Sequence, residues 1–382
     1  MSLLKSRFIE LIGNIQNPKY QLVELNEICE FIKDGTHQTP IYTEDRVNGF
    51  KFLSSKDVTS QKINWSNIKY IPKELHEQLY AKLSPKRGDI LLAKNGTTGV
   101  AAVVDSDEIF DIYVSLALLR PKSGVNVSYL CSALNSEDLK RQFNSSLKGI
   151  GVPNLHLREI KKARIIFPPI DIQNKISSIT KQIDKSKFLL QQILEKFELL
   201  KKSRFIEMFG DVINNKKTWP TKRWSYVLNI VNGKNQKKVE CENGIYPICG
   251  SGGKIGKTNE YLTKENSVII GRKGNINNPI LMKTKFWNVD TAFGLEPNNK
   301  DINVEYLYKF CELFDFQRLN KTVTIPSLTK SDLLKIEIPV PPMKLQEEYR
   351  NFLAQVDKSK FNVFQDQTAA QVKVIVVLHH IC

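Results

Sequence analysis

The stretch FPPIDIQNKISSITKQIDKSKF, residues 167–188, returns without a gap as VPPMKLQEEYRNFLAQVDKSKF, residues 340–361. Each copy begins with two prolines, which remove two backbone donors and favour the start of a new element. After the prolines, apolar residues recur at alternating steps of four and three, the pattern of a helix whose apolar seam faces another helix. The chain is therefore predicted to contain two related long helices.

The apolar seam of the first copy starts at Ile172 and continues for four heptads, with only Ser186 polar. A helix from there to Met208 would be roughly 55 Å long, more than a domain of this size offers as a packing surface. This length favours a coiled coil over an ordinary amphipathic helix. The second copy keeps the pattern to Val363 and loses it at Asp366. The residues predicted to pack in the seam, in a structural role, are Ile176, Ile183, Leu190, Phe197, Tyr349, Phe352 and Val356.

A second repeat relates the N-terminus to the end of the first long helix. LKSRFIELIG, residues 4–13, returns as KKSRFIEMFG, residues 201–210, directly after the first long helix. The second helix lacks this continuation, and the matching stretch stands instead at the N-terminus. We expect the N-terminal helix to dock beside the distal helix and to supply what it lacks, which predicts a pseudo-two-fold arrangement.

Between these anchors the chain repeats more weakly, in the same order. Short apolar runs broken by Gly, Asn and Pro predict domains rich in β-sheet. A period of about 175 residues is far too long for a solenoid and indicates two homologous domains. The matched segments are 88–96 with 266–274, 126–130 with 303–307, and 152–155 with 325–328.

The predicted fold class is α+β, with two sheet-rich domains separated by two long antiparallel coiled-coil helices. Such pseudo-symmetry within one chain suits it to bind two copies of one partner, or two halves of a DNA site. The predicted segments are an N-terminal helix (1–17), a first domain (18–166), a central long helix (167–212), a second domain (213–339), a distal helix (340–368) and an atypical tail (369–382).

Composition narrows the class of partner. The 382 residues include 56 Lys and Arg against 40 Asp and Glu, a net charge of +16. This excess favours a polyanion, with nucleic acid ahead of a membrane surface. The N-terminus lacks the pattern of a secretory signal, and no segment approaches 18 unbroken apolar residues. We expect a cytoplasmic protein that does not bind membranes.

Neither the cysteines nor the histidines predict a reactive site. The six cysteines are scattered, without a CxxC pair or a histidine at zinc-ligand spacing, so reduced thiols and no metal are expected. No carboxylate or nucleophile cluster surrounds the five histidines, which favours structural or binding roles over catalysis. The tail residues His379, His380 and Cys382 would chelate a metal only adventitiously.

GSGGKIGKT, residues 250–258, resembles a phosphate-binding loop of ATPases but fails its spacing. Counting back five positions from Gly256 reaches Ser251 rather than the required glycine, and the segment that follows is too short for the flanking helix. We predict no ATP binding here. A glycine-rich loop carrying Lys254 and Lys257 would suit contact with DNA phosphates.

FPPI and VPPM resemble the Asn/Asp-Pro-Pro-aromatic motif of amino-methyltransferases. That motif needs a polar residue to hold the target amine and an aromatic ring to stack on the flipped base. Here Phe and Ile, or Val and Met, occupy those places, and no glycine motif for S-adenosylmethionine is present. The sequence therefore predicts no catalytic residues.

The order and duplication of these features resemble the DNA specificity subunit of type I restriction-modification systems. The resemblance covers nearly the whole chain. It rests on both Pro-Pro helices and on five motifs, namely DGTHQTP (34–40), FLSSKDV (52–58), LLAKNGTTG (91–99), YPICGSGGKIGKTNEYL (246–262) and VIIGRKGN (268–275).

The resemblance implies that each sheet-rich domain is a target-recognition domain that reads one half of a split double-stranded DNA sequence. The helices would set the spacing and dock two methyltransferase subunits, and endonuclease (translocase) subunits would join the full complex. S-adenosylmethionine, ATP and Mg²⁺ are expected on those partners, and no cofactor on this chain. Half-sites one helical turn apart, roughly 34 Å, would lie on one face of the duplex.

The candidate DNA contacts are polar and basic loop residues. Arg, Lys, Asn and Gln can read base edges, although most lysines are expected to contact phosphates. Two alternatives remain open, a stand-alone bipartite DNA-binding protein and a silent specificity cassette without a methyltransferase partner. The candidates are Lys33, Thr36, His37, Gln38, Thr39, Lys56, Lys94, Asn95, Thr97 and Thr98 in the first domain, and Lys234, Lys237, Lys238, Ser251, Lys254, Lys257, Arg272, Lys273 and Asn275 in the second.

Overall fold

A computed structural model of the chain describes residues 10–96, 98–146, 154–320 and 325–379. The chain divides into two compact units, Met1–Leu189 (unit 1) and Leu190–Cys382 (unit 2). Each unit is rich in β-sheet, and one 40-residue helix, Ile170–Phe209, begins in unit 1 and ends in unit 2. The predicted α+β class is confirmed.

Unit 1 contains a four-stranded antiparallel sheet, a three-stranded sheet and smaller pairs. Residues 10–12 are helical, and Ser55–Asp57 forms a 3₁₀ turn. The strands are β1 (Gly13–Asn14), β2 (Asn17–Pro18), β3 (Leu22–Glu24), β4 (Cys29–Asp34), β5 (Phe50–Leu53), β6 (Val58–Thr59), β7 (Lys62–Ile63), β8 (Lys69–Ile71), β9 (Ile90–Ala93), β10 (Ala101–Val103), β11 (Phe110–Ile112), β12 (Leu116–Pro121) and β13 (Arg164–Ile166). The helices are α1 (Leu25–Ile28), α2 (Lys73–Tyr80), α3 (Val127–Leu134), α4 (Glu137–Ser146), α5 (Leu157–Lys162) and the start of α6 (Ile170–Phe209).

Unit 2 is built from the same kinds of element, with a 3₁₀ turn at Phe316–Leu319. Its strands are β14 (Thr221–Arg223), β15 (Leu228–Asn232), β16 (Tyr246–Gly250), β17 (Gly253–Thr258), β18 (Ser267–Gly271), β19 (Ile280–Met282), β20 (Trp287–Asn288), β21 (Ala292–Pro297) and β22 (Glu337–Pro339). Its helices are the end of α6, α7 (Trp224–Val227), α8 (Val304–Leu313), α9 (Lys330–Leu333) and α10 (Met343–His379).

The two units share one strand topology. The four-stranded sheets run β10-β9-β12-β4 and β19-β18-β21-β15, both fully antiparallel. The three-stranded sheets run β11-β5-β8 and β20-β16-β17, and each joins one parallel pair to one antiparallel pair. The internal repeat in the sequence is thus a repeat of the fold.

The apolar runs that predicted strands are buried on both faces of the sheet. In β9, Ile90 and Leu92 join one hydrophobic cluster, whereas Leu91 and Ala93 join another on the opposite face. Successive side chains of a strand point to opposite faces, so a strand between two cores needs apolar residues at every position. This explains why ILLA shows no polar alternation.

Each long helix is fastened to the sheet domain of its own unit by a buried glutamine. In unit 1, the Gln173 side chain accepts from the backbone amide of Asn126 at 2.9 Å and donates to the Pro168 carbonyl oxygen at 2.8 Å. Asn126 in turn caps α3 by accepting from the backbone amide of Tyr129. Gln346, Asn303, Pro341 and Tyr306 repeat the arrangement in unit 2.

In unit 2 the end of α6 and the start of α10 run antiparallel. Lys201 pairs with Asp357 at 2.8 Å, and Glu198, one turn earlier in α6, pairs with Lys360, later in α10. The described seam residues divide by depth. Ile176, Tyr349 and Val356 are buried, and Ile183, Leu190, Phe197 and Phe352 are half-buried.

Three predictions about the helices meet different outcomes. Leu200, which continues the predicted seam, is 47% exposed and not buried in it. Helix α10 continues to His379 rather than ending near residue 368, because residues 362–379 contain neither Gly nor Pro to stop it. Of the N-terminal helix predicted over residues 1–17, residues 1–9 lie outside the described residues and residues 10–12 are helical, whereas Gly13–Asn14 and Asn17–Pro18 form a short strand pair instead. Its docking beside the distal helix stays a prediction.

Candidate nucleic-acid interface

In unit 1, loops from three strands converge beside the four-stranded sheet. The Thr36 amide, two residues after β4, donates to the Ile112 carbonyl oxygen at the end of β11, and the Thr36 carbonyl oxygen accepts from Val114. The Lys94 amide, directly after β9, donates to the carbonyl oxygen of Ser115. These bonds gather the ends of β4, β9 and β11 into one polar surface.

A buried ion pair lies at the centre of this surface. The Lys94 ammonium is 2.5 Å from a carboxylate oxygen of Asp34, and the two side chains are only 6% and 15% exposed. His37, with an exposed ring, lies 3.6 Å from the other oxygen of the same carboxylate. The charge of Lys94 is therefore neutralised within the protein rather than presented at the surface, and its contact with DNA stays a prediction.

Hydrogen bonds tie two of the remaining candidate segments in unit 1, those of Lys56 and Thr98, to the same loops. The Ser55 amide donates to the Ser115 hydroxyl, which ties the turn that carries Lys56 to the same surface. Thr98 donates to the Lys94 carbonyl oxygen, and Thr97 lies outside the described residues. The exposed candidates are Lys33, His37, Gln38, Thr39 and Lys56, and the half-buried ones are Thr36, Asn95 and Thr98.

Unit 2 builds the same surface around a buried asparagine. Asn288, fully buried in β20, donates to the carbonyl oxygens of Val231 and Ala292 and accepts from the Thr263 hydroxyl. The backbone carbonyl oxygen of Asn288 accepts from the backbone amide of Lys234, just after β15. The loop after β15 is therefore anchored to the parallel strand pair, as the loop after β4 is in unit 1.

Glycine is required at one place in each of these loops. Gly35 follows β4 and Gly233 follows β15. A Cβ atom at Gly35 would meet the backbone carbonyl oxygen of Ile112, and one at Gly233 would meet that of Val289. The close approach of two backbones leaves no room for a side chain.

The segment Gly253–Thr258 is a strand rather than the predicted loop. It pairs antiparallel with β16, and only the turn at residues 251–252 separates the two strands. Gly253 adopts φ +112°, which allows the tight return. No helix follows Thr258 before Val304 in this fully described stretch, so the structure lacks the strand-to-helix geometry of a phosphate-binding loop.

The candidates in unit 2 are mostly at the surface. Arg272 is half-buried, with its guanidinium 5.8 Å from the centre of the Phe293 ring, and Ser251 is half-buried in the hairpin turn. The exposed candidates are Lys234, Lys237, Lys238, Lys254, Lys257, Lys273 and Asn275. Exposed lysines without rigid partners suit the sequence-independent contacts that proteins make with phosphates.

A buried histidine–aspartate pair in unit 1 was not predicted from the sequence. The His76 ring contacts an Asp111 carboxylate oxygen at 2.7 Å and stacks on Phe50 at 3.7 Å between ring centres. Burial raises the pKa of Asp111, and the hydrogen bond from His76 opposes that rise. Asp111 lies 35 residues from its partner, so no local sequence pattern identifies the pair. Its burial indicates a role in packing.

Burial disfavours the reactive thiolate form of Cys29 and Cys249. Burial raises the pKa of Cys29 to about 12 and that of Cys249 to about 11. Within the described ranges, no cluster of three or more His, Cys, Asp or Glu side chains could hold a metal ion. In the same ranges, no helix is long and apolar enough to cross a membrane.

Comparisons with known proteins point to one family. The family model described as "Type I restriction modification DNA specificity domain" matches residues 17–199 and 216–373. A protein of Methanocaldococcus jannaschii, provisionally named as the specificity subunit of the type I restriction enzyme MjaX, is 20% identical over 380 residues, which cover 91% of this chain and 88% of that protein.

Two solved structures share the fold. The S subunit of a type I restriction-modification system from M. genitalium is 16% identical, with a TM-score of 0.55 over 95% of this chain and 96% of that one. A chain from a study of complex assembly and conformational transition of the type I system is also 16% identical, with a TM-score of 0.57 over 94% and 96%. Both matches extend over both units.

Proposed function

This chain belongs to the type I restriction modification DNA specificity family, so it is a DNA-recognition subunit and not an enzyme, and we propose that it reads a two-part DNA sequence. Each unit would bind one half of the target through the loops that follow its central strands. The double-stranded DNA target would then consist of two different half-sites, because the two sets of loops differ in sequence.

The observation that carries this proposal is the repeated topology. The same strand order occurs in units 1 and 2, and each unit gathers polar and basic residues where strands of its two sheets end. Both sets of loops are held by backbone hydrogen bonds, and rigid support favours precise reading of base edges. The net charge of +16 adds the non-specific attraction that DNA binding requires.

We further propose that the chain acts with two methyltransferase subunits, which methylate adenine, and with endonuclease subunits in the full complex. S-adenosylmethionine, ATP and Mg²⁺ would bind to those partners. The duplication supports this stoichiometry, because each unit offers an equivalent junction between its sheet domain and a long helix, fixed by Gln173 or Gln346. Equivalent surfaces suit two copies of one partner.

The test is co-expression of the full chain with a methyltransferase subunit of the same system in a host without its own methylation. A stable complex of two methyltransferase chains with one copy of this chain is expected, and sequencing should show methylated adenines in one split motif. Exchange of residues 18–165 for those of another family member should change one half of the motif only. A change in both halves would refute independent reading, and DNA binding without a complex would favour a stand-alone protein or a silent cassette.

A further inference from the structure

We propose that Arg272 reads a guanine in the half-site bound by unit 2, whereas Lys94, at the equivalent position of unit 1, holds its loop without reading a base. The inference rests on the proposed function, since it assumes that these loops face DNA. It assigns different chemistry to two positions that the fold repeats.

Arg272 and Lys94 occupy the same place in the two units. Each is the first residue after a central strand, β18 or β9. The amide of Lys94 donates to the residue just before β12, and the amide of Arg272 donates to the residue just before β21. The carbonyl oxygen of each accepts from the amide of a leucine further along the chain. These bonds are Lys94 N to Ser115 O (2.8 Å), Leu155 N to Lys94 O (3.0 Å), Arg272 N to Thr291 O (2.8 Å) and Leu328 N to Arg272 O (2.9 Å).

The neighbouring strand supplies a different partner in each unit. Asp34 ends β4 opposite Ala117 of β12, and Asn232 ends β15 opposite Phe293 of β21. The registers with β9 and β18 make these positions equivalent. In unit 1 the carboxylate neutralises Lys94, whereas in unit 2 a neutral amide stands in its place. Unit 2 therefore lacks the carboxylate that pairs with the cation in unit 1.

The Arg272 guanidinium is held but not neutralised. Its Cζ atom lies 5.8 Å from the centre of the buried Phe293 ring, near the outer limit of a cation–π contact. Among the residues that the structure describes, none forms an ion pair or a side-chain hydrogen bond with it, and the Phe293 ring is its one aromatic contact there. Asp290, exposed in the adjacent loop, does not pair with it either. Its donors are free to meet a ligand.

A guanine is the base that such a group fits best. The planar guanidinium can donate two parallel hydrogen bonds to O6 and N7 of guanine in the major groove. Phosphates can instead be met by exposed lysines such as the neighbouring Lys273, whose side chain extends further into solvent. Arg272, a half-buried residue without a neutralising partner, is better suited to a fixed base edge than an exposed lysine is.

The experiment maps the methylated motif produced by the full chain in complex with its methyltransferase. The half-site of unit 2 is assigned as the half that survives exchange of residues 18–165. For Arg272→Gln, we expect preference for guanine at one position of that half to fall about ten- to a hundredfold, with the other half unchanged. Lys273→Gln is the matched control, and it should weaken all sequences alike and leave the motif intact.

A second variant leaves Arg272 in place. Asn232→Asp would reproduce the carboxylate of unit 1, pair with Arg272 and cause the same loss of guanine preference. This variant removes no packing contact, so it remains informative if Arg272→Gln fails to fold. The inference is overturned if both variants keep the motif or weaken every sequence uniformly, as loss of a phosphate contact would. If the unmodified complex yields no split motif, the proposed function itself fails.

Discussion

The side-chain carbonyl oxygen of Gln346 accepts a hydrogen bond from the backbone amide of Asn303 at 2.9 Å, and no solvent reaches the glutamine. The side-chain nitrogen of the same glutamine donates to the carbonyl oxygens of Asp301 and Pro341. One residue of α10 thus satisfies three backbone groups, and Gln173 of α6 takes the equivalent position in unit 1. These contacts fix how each long helix begins on its own sheet domain.

The first prediction concerns this anchor. Gln346→Leu would bury the Asn303 amide and two carbonyl oxygens without partners, at a cost of about 2–4 kcal/mol. Hydrogen exchange of α8 amides should report the loss as faster opening of unit 2. Gln355→Leu, an exposed position on the same helix, is the matched control and should change opening by less than about 0.5 kcal/mol. Equal effects of the two variants would contradict the anchoring role.

The second prediction separates packing from charge where α6 meets α10. Phe205 is fully buried against Phe209, Tyr306 and Tyr349, so Phe205→Ala should destabilise unit 2 by about 3–5 kcal/mol. Lys201→Ala removes an ion pair whose Asp357 partner is 64% exposed, and it should cost less than about 1 kcal/mol. Urea unfolding of the full chain measures both, and a larger loss from Lys201→Ala would show that charge dominates this contact.

The repeat in the sequence was enough to predict the fold class and both long helices. The repeated Pro-Pro starts and the seam pattern are local in sequence, so they predict the helices without knowledge of long-range contacts. The anchoring role of the two buried glutamines was not predicted, although PPIDIQ and PPMKLQ place them identically. Their role depends on backbone groups more than 40 residues away, and a polar residue near a helix start is ordinarily exposed.

The candidate DNA contacts were less predictable. Lys94 reads as a surface cation, yet Asp34, 60 residues earlier, covers its charge. Likewise, the glycines of GKIGKT suggested a loop, but cross-strand pairing with β16 makes a strand. In both cases a long-range partner overrides the local signal, and only the folded chain identifies that partner.

The third prediction concerns pH. Burial raises the pKa of Glu305, but hydrogen bonds from Lys283 and Arg350 outweigh it and hold that pKa below its ordinary value. A lowered pKa means that Glu305 stabilises the fold above the pKa of the unfolded chain, and that this stabilisation is lost as the pH falls through the folded pKa.

Glu305→Gln should therefore destabilise unit 2 by about 1–3 kcal/mol at pH 7. The difference from the unmodified chain should shrink as the pH falls below about 4.3, the ordinary pKa of a glutamate in an unfolded chain, because the unfolded state then takes up a proton before the native state does. Urea unfolding at intervals of about one pH unit between about pH 3 and pH 7 measures how this difference in stability depends on pH. Glu337→Gln, at an exposed strand position, is the control. A difference that stays constant with pH would show that the charge of Glu305 contributes nothing.

The fourth prediction uses the two glycines that the repeated loops require. Gly233→Ala would push the loop after β15 away from the Val289 carbonyl oxygen, and this loop carries Lys234. We expect weaker discrimination in the half-site of unit 2 alone, by about tenfold, because bidentate readout tolerates little displacement. Gly35→Ala should do the same to the half-site of unit 1, through its contact with Ile112.

Gly252→Ala supplies the matched control, since a Cβ atom at that turn position meets nothing within 4 Å. The methylated motif should therefore be unchanged in that variant. Two independent loops on two copies of one fold should respond separately, so each glycine variant must relax a different half of the motif. If Gly233→Ala and Gly35→Ala relax the same half, the two units do not read the two halves separately. If neither alters the motif while the complex remains assembled, the loops after β4 and β15 do not face the bases.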